Sequence, residues 1–141
     1  VEIADDMRSI KGKLEKMDMG GYTPKMEGPW VFKREDLYYF TMPENNRELS
    51  YYTSPSPKGP WTYHGVIMEQ EANSNNHHSI VNYQGQWILF YHRWLDIDST
   101  CGRQRHVAAE YLYFNEDGTI QPIRRTQKGV ADFASQGNQK Q

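Results

Sequence analysis

The chain has a single cysteine, Cys101, among its 141 residues. One thiol cannot close a disulfide within the chain, so cysteine usage leaves the redox compartment open. The residue lies in the polar stretch Ser-Thr-Cys-Gly at 99–102, and no nucleophile motif surrounds it. We therefore interpret Cys101 as an unreactive free thiol rather than as a catalytic nucleophile.

Long apolar runs and a strong excess of one charge are also missing. No apolar run approaches the ~20 residues that cross a bilayer, and the first residues lack the apolar segment of a secretory signal. The formal net charge is only −2, so no broad attraction to nucleic acid is expected. We expect a soluble chain without membrane or nucleic-acid partners, either cytoplasmic or, as part of a longer enzyme, secreted.

Aromatic residues are abundant instead, with ten Tyr, five Phe and four Trp. Many lie in short apolar segments at 37–41, 49–53, 87–91 and 107–114, separated by Gly, Pro, Asn and Asp. Strands with turn signals every ~8–12 residues are typical of an all-β chain. No long window has helical periodicity, so we predict an all-β fold.

The two halves of this pattern repeat each other at an offset of fifty residues, 27 to 77. Each copy opens with an ionisable side chain, Glu27 in the first and His77 in the second. The residues that align behind them are apolar in both copies: Trp30 with Ile80, Val31 with Val81, Leu37 with Trp87, and Phe40 with Phe90. A chemical group at the same place in each copy suggests a repeat architecture built around a site.

Each copy contains four strand-like segments, at 27–34, 37–42, 49–54 and 61–68, and at 77–83, 87–93, 105–114 and 119–124. Four antiparallel strands in about fifty residues are typical of a β-propeller blade. The first strand of a blade lines the central channel, so Glu27 and His77 should converge near the axis. A β-sandwich with a coincidental repeat is the alternative.

We therefore predict a single domain that forms about two four-stranded antiparallel blades, a half-propeller. Residues 1–26 would be the end of a preceding blade and a linker, 27–68 and 75–125 the two blades, and 126–141 a tail. Two blades cannot close a ring, and they leave sheet edges and apolar faces uncovered. A second copy of the chain or further sequence must cover them.

The blade starts resemble a known family. Segment 27–34, Glu-Gly-Pro-Trp-Val-Phe-Lys-Arg, resembles the general-acid segment of glycoside hydrolase family 43, and segment 52–61 resembles the turn that follows it. Segments 76–81, 87–93 and 117–123 resemble the later blade of that family. The resemblance implies a five-bladed propeller that hydrolyses xylosides, arabinofuranosides or arabinans with inversion at the anomeric carbon.

By this resemblance Glu27 is the general acid. An inverting glycosidase needs one protonated carboxyl group to donate to the leaving oxygen, and a second carboxylate ~6.5–9.5 Å away to activate water. The resemblance implies substrate binding by His77, His78 and Arg105. Trp30 either packs in the core, which we favour, or walls the sugar pocket.

His77 also matches a position that can reach a central calcium ion in this family. Calcium prefers six to eight oxygen ligands, so an ion at His77 would be held mostly by water. No other cofactor is expected.

The family's base Asp and the Asp that tunes the acid lie in segments upstream of Glu27 that this chain does not contain. A longer enzyme could supply them, or a homo-oligomer, dimer or larger, could place a partner's carboxylate opposite the acid. Local recruitment of Asp96 or Asp98 is a third possibility, although a solvated loop is the simpler interpretation of both.

We predict a β-xylosidase or α-L-arabinofuranosidase that acts on xylo- or arabino-oligosaccharides and polysaccharides as a homo-oligomer. The alternative is a non-catalytic carbohydrate-binding half-propeller or an inactive fragment of a longer enzyme.

Overall fold

The computed structural model describes residues 1–23, 27–44, 48–70, 77–94 (for Trp94, the backbone only) and 105–131. All regular elements in these ranges are β-strands, and all their pairings are antiparallel. The strands are β1 (Glu2–Ile3), β2 (Ile10–Lys11), β3 (Trp30–Arg34), β4 (Leu37–Pro43), β5 (Leu49–Ser54), β6 (Thr62–Met68), β7 (His78–Tyr83), β8 (Gln86–Trp94) and β9 (Arg105–Tyr111). The predicted all-β class is confirmed. No helix in the described ranges is long and apolar enough to span a membrane.

The first large sheet has the strand order β3-β4-β5-β6 and forms one complete blade. Strand β5 has the predicted bounds, whereas β3 starts at Trp30 rather than at residue 27. Gly28 has a positive φ of 81°, and Pro29 has no N–H to give to a ladder. Residues 27–29 therefore lead into the strand without pairing.

The second sheet has three strands in its described residues, in the order β7-β8-β9. The predicted strand at 119–124 is wrong, because this segment forms only an isolated bridge between Phe114 and Ile120. Its backbone bonds go to two places: Gln121 N donates at 2.9 Å to Tyr113 O, two residues after β9, and Ile123 N donates to Ile67 O of β6 at 2.6 Å. The segment fastens the second sheet to the first instead of extending a ladder.

A shared hydrophobic core joins the two sheets. It contains fully buried side chains from both, such as Tyr39 and Leu49 from the first and Leu89 from the second. Phe32 stacks on Tyr39 with ring centroids 4.9 Å apart, and it also meets Trp87 of the second sheet at 5.0 Å. The sheets thus pack face to face, as neighbouring blades do.

A second, smaller core covers the other face of the first sheet. Met19, from the segment before the blade, packs there with Phe40, Met42, Tyr52 and Trp61. Upstream of it, β1 and β2 form a two-stranded hairpin. Burial of residues on both faces makes the first sheet an interior layer.

The first strands of the two sheets, β3 and β7, lie next to each other. Trp30 Nε1 donates to Ile80 O at 2.9 Å, across the interface between the sheets. Trp30 and Ile80 are equivalent positions of the repeat, so the repeat brings its own equivalent residues into contact.

The favoured core position of Trp30 is wrong. The residue is 36% exposed, and its neighbour Val31 is 45% exposed. Trp30 begins its strand at the edge of the sheet, and its indole N–H needs a polar partner, which it finds in the Ile80 carbonyl. A face of the indole therefore remains on the surface, at the same end of the strands as Glu27.

Candidate active site

Glu27 and His77 converge, as the repeat predicts. Glu27 lies three residues before β3, and His77 directly precedes β7. Because β3 and β7 are adjacent, Glu27 Oε1 lies 3.4 Å from His77 Nε2. The Glu27 side chain is 73% exposed, so its carboxyl group is accessible to a ligand, and the His77 side chain is 41% exposed.

The contact between these two groups is a close approach rather than an aligned hydrogen bond. His77 Nε2 is shielded from solvent and has no hydrogen-bond partner among the described atoms. An ion pair would form at this distance when the imidazole is protonated. A small rotation of either side chain would convert the approach into a hydrogen bond.

Gly28 lets the imidazole lie directly against the backbone. A Cβ at this position would be 3.2 Å from His77 Cδ2 and 3.4 Å from both Cγ and Nε2. The positive φ of Gly28, 81°, also disfavours any residue with a side chain. Two independent features of the structure therefore favour glycine at position 28: the contact with the His77 ring and the positive φ.

His92 is a further site residue, which the sequence prediction did not single out. Its ring meets that of His77 edge-on, with centroids 6.0 Å apart and an interplanar angle of 65°. Burial lowers the pKa of His92, and the charges of Arg105 and His77 lower it further, whereas a hydrogen bond with the His77 backbone acts in the opposite direction. His92 Nε2 is buried and has no hydrogen-bond partner in the described structure.

The hairpin register contains the signal that could have found His92. Tyr83 pairs with Gln86 across the Gln84-Gly85 turn, and His78 pairs with Tyr91. Continuing this register by one residue places His92 opposite His77. A two-residue turn recognised at Gln-Gly would therefore have predicted the histidine pair.

Arg105 starts β9 and is exposed, with its backbone opposite Trp94. Its charge acts on His92, so it belongs to the same end of the second sheet. Glu27, His77, His92 and Arg105 are hereafter called the acid–histidine cluster. The substrate-binding role of Arg105 stays a prediction.

His78 faces a different environment from His77. Its Nε2 lies 2.6 Å from Thr41 Oγ1, and Thr41 is fully buried. The pair links the second sheet to β4 of the first. This contact gives His78 a structural role, and its predicted contact with sugar stays a prediction.

The predicted calcium site lacks a suitable cage in the described residues. No group of three or more His, Cys, Asp or Glu side chains there could hold a metal ion. His77 and Glu27 offer one imidazole and one carboxylate, whereas calcium takes six to eight oxygen ligands. The described residues alone therefore do not form a cage for calcium, and an ion held mostly by water at His77 stays a prediction that no step of the chemistry below uses. Asp96, Asp98 and Cys101 lie outside the described residues.

Sequence comparisons identify relatives of the chain. The family model for glycosyl hydrolases family 43 matches residues 1–120. A β-D-galactofuranosidase, xynD of Aspergillus niger, is 34% identical over 140 residues, which cover 92% of this chain and 40% of the relative. A β-xylosidase of Xylanibacter ruminicola is 34% identical over 99 residues, which cover 70% of this chain and 31% of the relative. The chain thus spans well under half the length of these relatives.

Solved structures agree with the fold. A family 43 arabinoxylan arabinofuranohydrolase from Bacillus subtilis, in complex with cellotetraose, superposes with a TM-score of 0.79 at 26% identity, over 92% of this chain and 30% of that one. A β-xylosidase/α-arabinofuranosidase from a compost metagenome, in complex with xylotriose, gives a TM-score of 0.71 at 31% identity, over 86% of this chain and 40% of that one. The two stacked sheets therefore correspond to part of a family 43 propeller. The chain belongs to glycoside hydrolase family 43.

Proposed function

We propose that this chain carries the general acid of a glycosidase that cleaves xylose- or arabinose-containing plant polysaccharides and oligosaccharides. The observation that carries the proposal is the position of Glu27. Its exposed carboxyl group stands where the first strands of two blades meet, beside His77, in a chain of family 43. Relatives named as β-xylosidase and as xylosidase/arabinosidase support the substrate class.

Glu27 would donate its proton to the leaving glycosidic oxygen. In an inverting mechanism, a second carboxylate removes a proton from water on the opposite face of the sugar, ~6.5–9.5 Å from the acid. A neutral His77 imidazole with its proton on Nε2 can donate a hydrogen bond to the carbonyl oxygen of the Glu27 carboxylic acid, which leaves the acidic O–H free to face the leaving oxygen. The base would come from a partner copy of the chain or from further sequence joined to it.

Two neighbouring side chains suit sugar binding. The guanidinium group of Arg105 can donate two parallel hydrogen bonds to a sugar diol, and Arg105 is an exposed member of the acid–histidine cluster. The exposed part of the Trp30 indole offers an apolar surface to a sugar ring. Together they would bind the sugar next to Glu27.

The active form is proposed to be a homo-oligomer, in which a partner copy supplies the second carboxylate. Two observations support this assembly. The chain covers 40% or less of these two relatives, and its first hairpin and the residues just after it expose the apolar side chains Ile3, Met7, Ile10 and Leu14. Further sequence joined to this chain would cover the same surfaces and is the competing explanation.

The site is proposed to need no resident cofactor, because two carboxyl groups suffice for the proton transfers. A calcium ion near His77 would be held mostly by water and would have a structural effect only. Removal of divalent ions with EDTA should leave the hydrolytic rate unchanged. A rate that collapses and returns with added calcium would overturn this part of the proposal.

The activity test compares the wild-type chain with Glu27→Gln, which keeps the shape of the side chain but cannot donate an acidic proton. The substrates are aryl β-xylosides and aryl α-L-arabinofuranosides, and the anomer of the first-formed sugar is read by NMR. Loss of a general acid typically costs about 10²–10⁴-fold in rate. Equal activity of the two proteins would exclude Glu27 as the acid, and a retained anomeric configuration would exclude inversion.

A carbohydrate-binding half-propeller is the second candidate function. It is favoured by the high exposure of Glu27, 73%, because no enclosed catalytic pocket surrounds the carboxyl group within the described residues. This reading predicts saturable binding of xylo- or arabino-oligosaccharides in calorimetry without any hydrolysis. Turnover that depends on Glu27 would eliminate it.

A further inference from the structure

We propose that Gly28 and His92 are positioning residues that clamp the His77 imidazole against Glu27. The effect of this clamp on catalysis rests on the proposed function, but the clamp itself is a property of the fold. Neither residue touches a substrate in this account. Both act through the position of His77.

Gly28 forms one side of the clamp. The position of its absent Cβ is 3.2 Å from His77 Cδ2 and 3.4 Å from both Cγ and Nε2. Nearly equal distances to these three consecutive ring atoms place the Gly28 backbone over the face of the ring rather than at its edge. Any side chain at Gly28 would push the ring away from its present position, and Nε2, the atom nearest Glu27, would move with it.

His92 forms the second part of the clamp. Its ring meets the His77 ring edge-on, with centroids 6.0 Å apart and an interplanar angle of 65°. The His92 ring therefore limits how far the His77 ring can turn.

The clamp fixes the distance between His77 and Glu27. His77 Nε2 is held 3.4 Å from Glu27 Oε1, although no hydrogen bond of its own to the described residues holds it there. Packing against Gly28 and His92 substitutes for that missing bond. The imidazole is thus in place before the carboxylic acid turns toward it.

The first experiment is solution NMR on the chain with Gly28→Ala, with Gly85→Ala as the matched control. Gly85 has a φ of +83°, almost the same as the +81° of Gly28, but a Cβ there would meet nothing within 4 Å. Because φ is nearly the same at both positions, a difference between the two variants reports the contact with His77. We expect a nuclear Overhauser effect between Gly28 Hα and His77 Hδ2 in the wild-type chain. Gly28→Ala should shift the His77 ring resonances, and Gly85→Ala should leave them in place.

The second experiment exchanges the His92 side chain. His92→Phe keeps a ring at this position, whereas His92→Ala removes it. We expect His92→Ala to displace the His77 ring resonances and His92→Phe to retain them in large part. Unchanged His77 ring resonances in both Gly28→Ala and His92→Ala would overturn the clamp, and this outcome does not depend on any enzymatic activity.

Kinetics then connect the clamp to Glu27. A misplacement of about 1 Å can cost about 10²-fold in rate, so Gly28→Ala and His92→Ala should lower kcat by about 10–100-fold and change KM little. In a Glu27→Gln background the same substitutions should cause no further loss, because they act through the acid. Additive losses would overturn the link to Glu27. Full activity of Glu27→Gln alone would instead overturn the proposed function and leave the NMR result standing.

Discussion

The hydroxyl group of Thr41 makes one of the contacts that join the two sheets. It is fully buried, lies 2.6 Å from His78 Nε2, and approaches the Trp30 carbonyl at 3.4 Å. A polar group buried without a partner costs about 1–3 kcal/mol. The bond between Thr41 and His78 therefore contributes to the alignment of the two blade starts that carry Glu27 and His77.

Replacing Thr41 by Val keeps the shape of the side chain and leaves His78 Nε2 without this hydrogen bond. We expect a loss of about 1–3 kcal/mol in the free energy of unfolding, measured by urea denaturation. Thr41→Ser retains the hydroxyl group and should lose clearly less. A Thr41→Val variant as stable as the wild type would show that the bond has no net effect.

At the residue scale, the sequence predicted the meeting of Glu27 and His77, because a repeat aligns equivalent positions of neighbouring blades. It did not predict His92, whose position opposite His77 depends on the register of the β7–β8 hairpin. The sequence also did not reveal why position 28 is glycine. The reason is the contact of Gly28 with the His77 ring, which belongs to the start of the other sheet.

At the scale of elements, a buried carboxylate ties the segment before the first blade to the first sheet. Glu44 is only 7% exposed. It accepts a hydrogen bond from Tyr52 Oη at 2.7 Å, and another from Tyr22 Oη. Burial, and then the bond to Glu44, raise the pKa of Tyr22 to about 12. The same two causes raise the pKa of Tyr52.

These two tyrosines predict a loss of stability at alkaline pH. The unfolded chain releases a Tyr proton near pH 10, whereas the folded chain holds the proton of Tyr22 to about pH 12. Between these values the folded state binds more protons, so the free energy of unfolding falls as pH rises. The stabilisation is complete below about pH 10 and is lost toward pH 12.

Tyr22→Phe should therefore be less stable than the wild type near neutral pH, because Glu44 loses a donor, and should lose less stability on alkaline titration. Urea unfolding at a series of pH values from about 8 to 11 measures both effects. Tyr113→Phe, at a half-exposed tyrosine outside the strands, is the control and should retain the wild-type slope. A wild-type slope in Tyr22→Phe would contradict the account.

Strands were predictable where a run of alternating or aromatic residues is bounded by turns, as in β5 (Leu49–Ser54). The predicted start of β3 was three residues too early, because apolar periodicity carries no information on the backbone of Gly28 and Pro29. Neither residue pairs with the neighbouring strand. The segment at 119–124 has strand-like composition, yet Ile123 bonds to Ile67 of the neighbouring sheet. Such a choice between two sheets depends on tertiary packing and not on local sequence.

At the scale of the whole molecule, one core unites both sheets, and Ile67 of the first sheet packs with Ile80 and Leu89 of the second. Two sheets packed face to face make a stable pair but not a closed ring, since the outer faces still need cover. The number of blades was predictable from the repeat. The part of the protein that completes the ring was not predictable, because contacts with another chain or segment leave no periodic pattern in the sequence of this chain.

The assembly proposal predicts a dimer or a larger homo-oligomer at micromolar concentration. Static light scattering coupled to size exclusion measures the mass, against 16.6 kDa for one chain. Met7 is an exposed apolar residue of the first hairpin. Met7→Ser should weaken the assembly if that hairpin is part of the interface. A folded monomer at this concentration would contradict homo-oligomer formation.

The central claim is that Glu27 donates a proton to the leaving oxygen, and its most direct test varies how much the leaving group needs that proton. kcat/KM is measured for the wild type and Glu27→Gln with 4-methoxyphenyl and 2,4-dinitrophenyl xylosides or arabinofuranosides. General acid catalysis matters more for the more basic leaving group. The ratio of wild type to variant should therefore be at least about tenfold larger for the 4-methoxyphenyl glycoside. Equal ratios for both leaving groups would contradict the assignment of Glu27 as the acid.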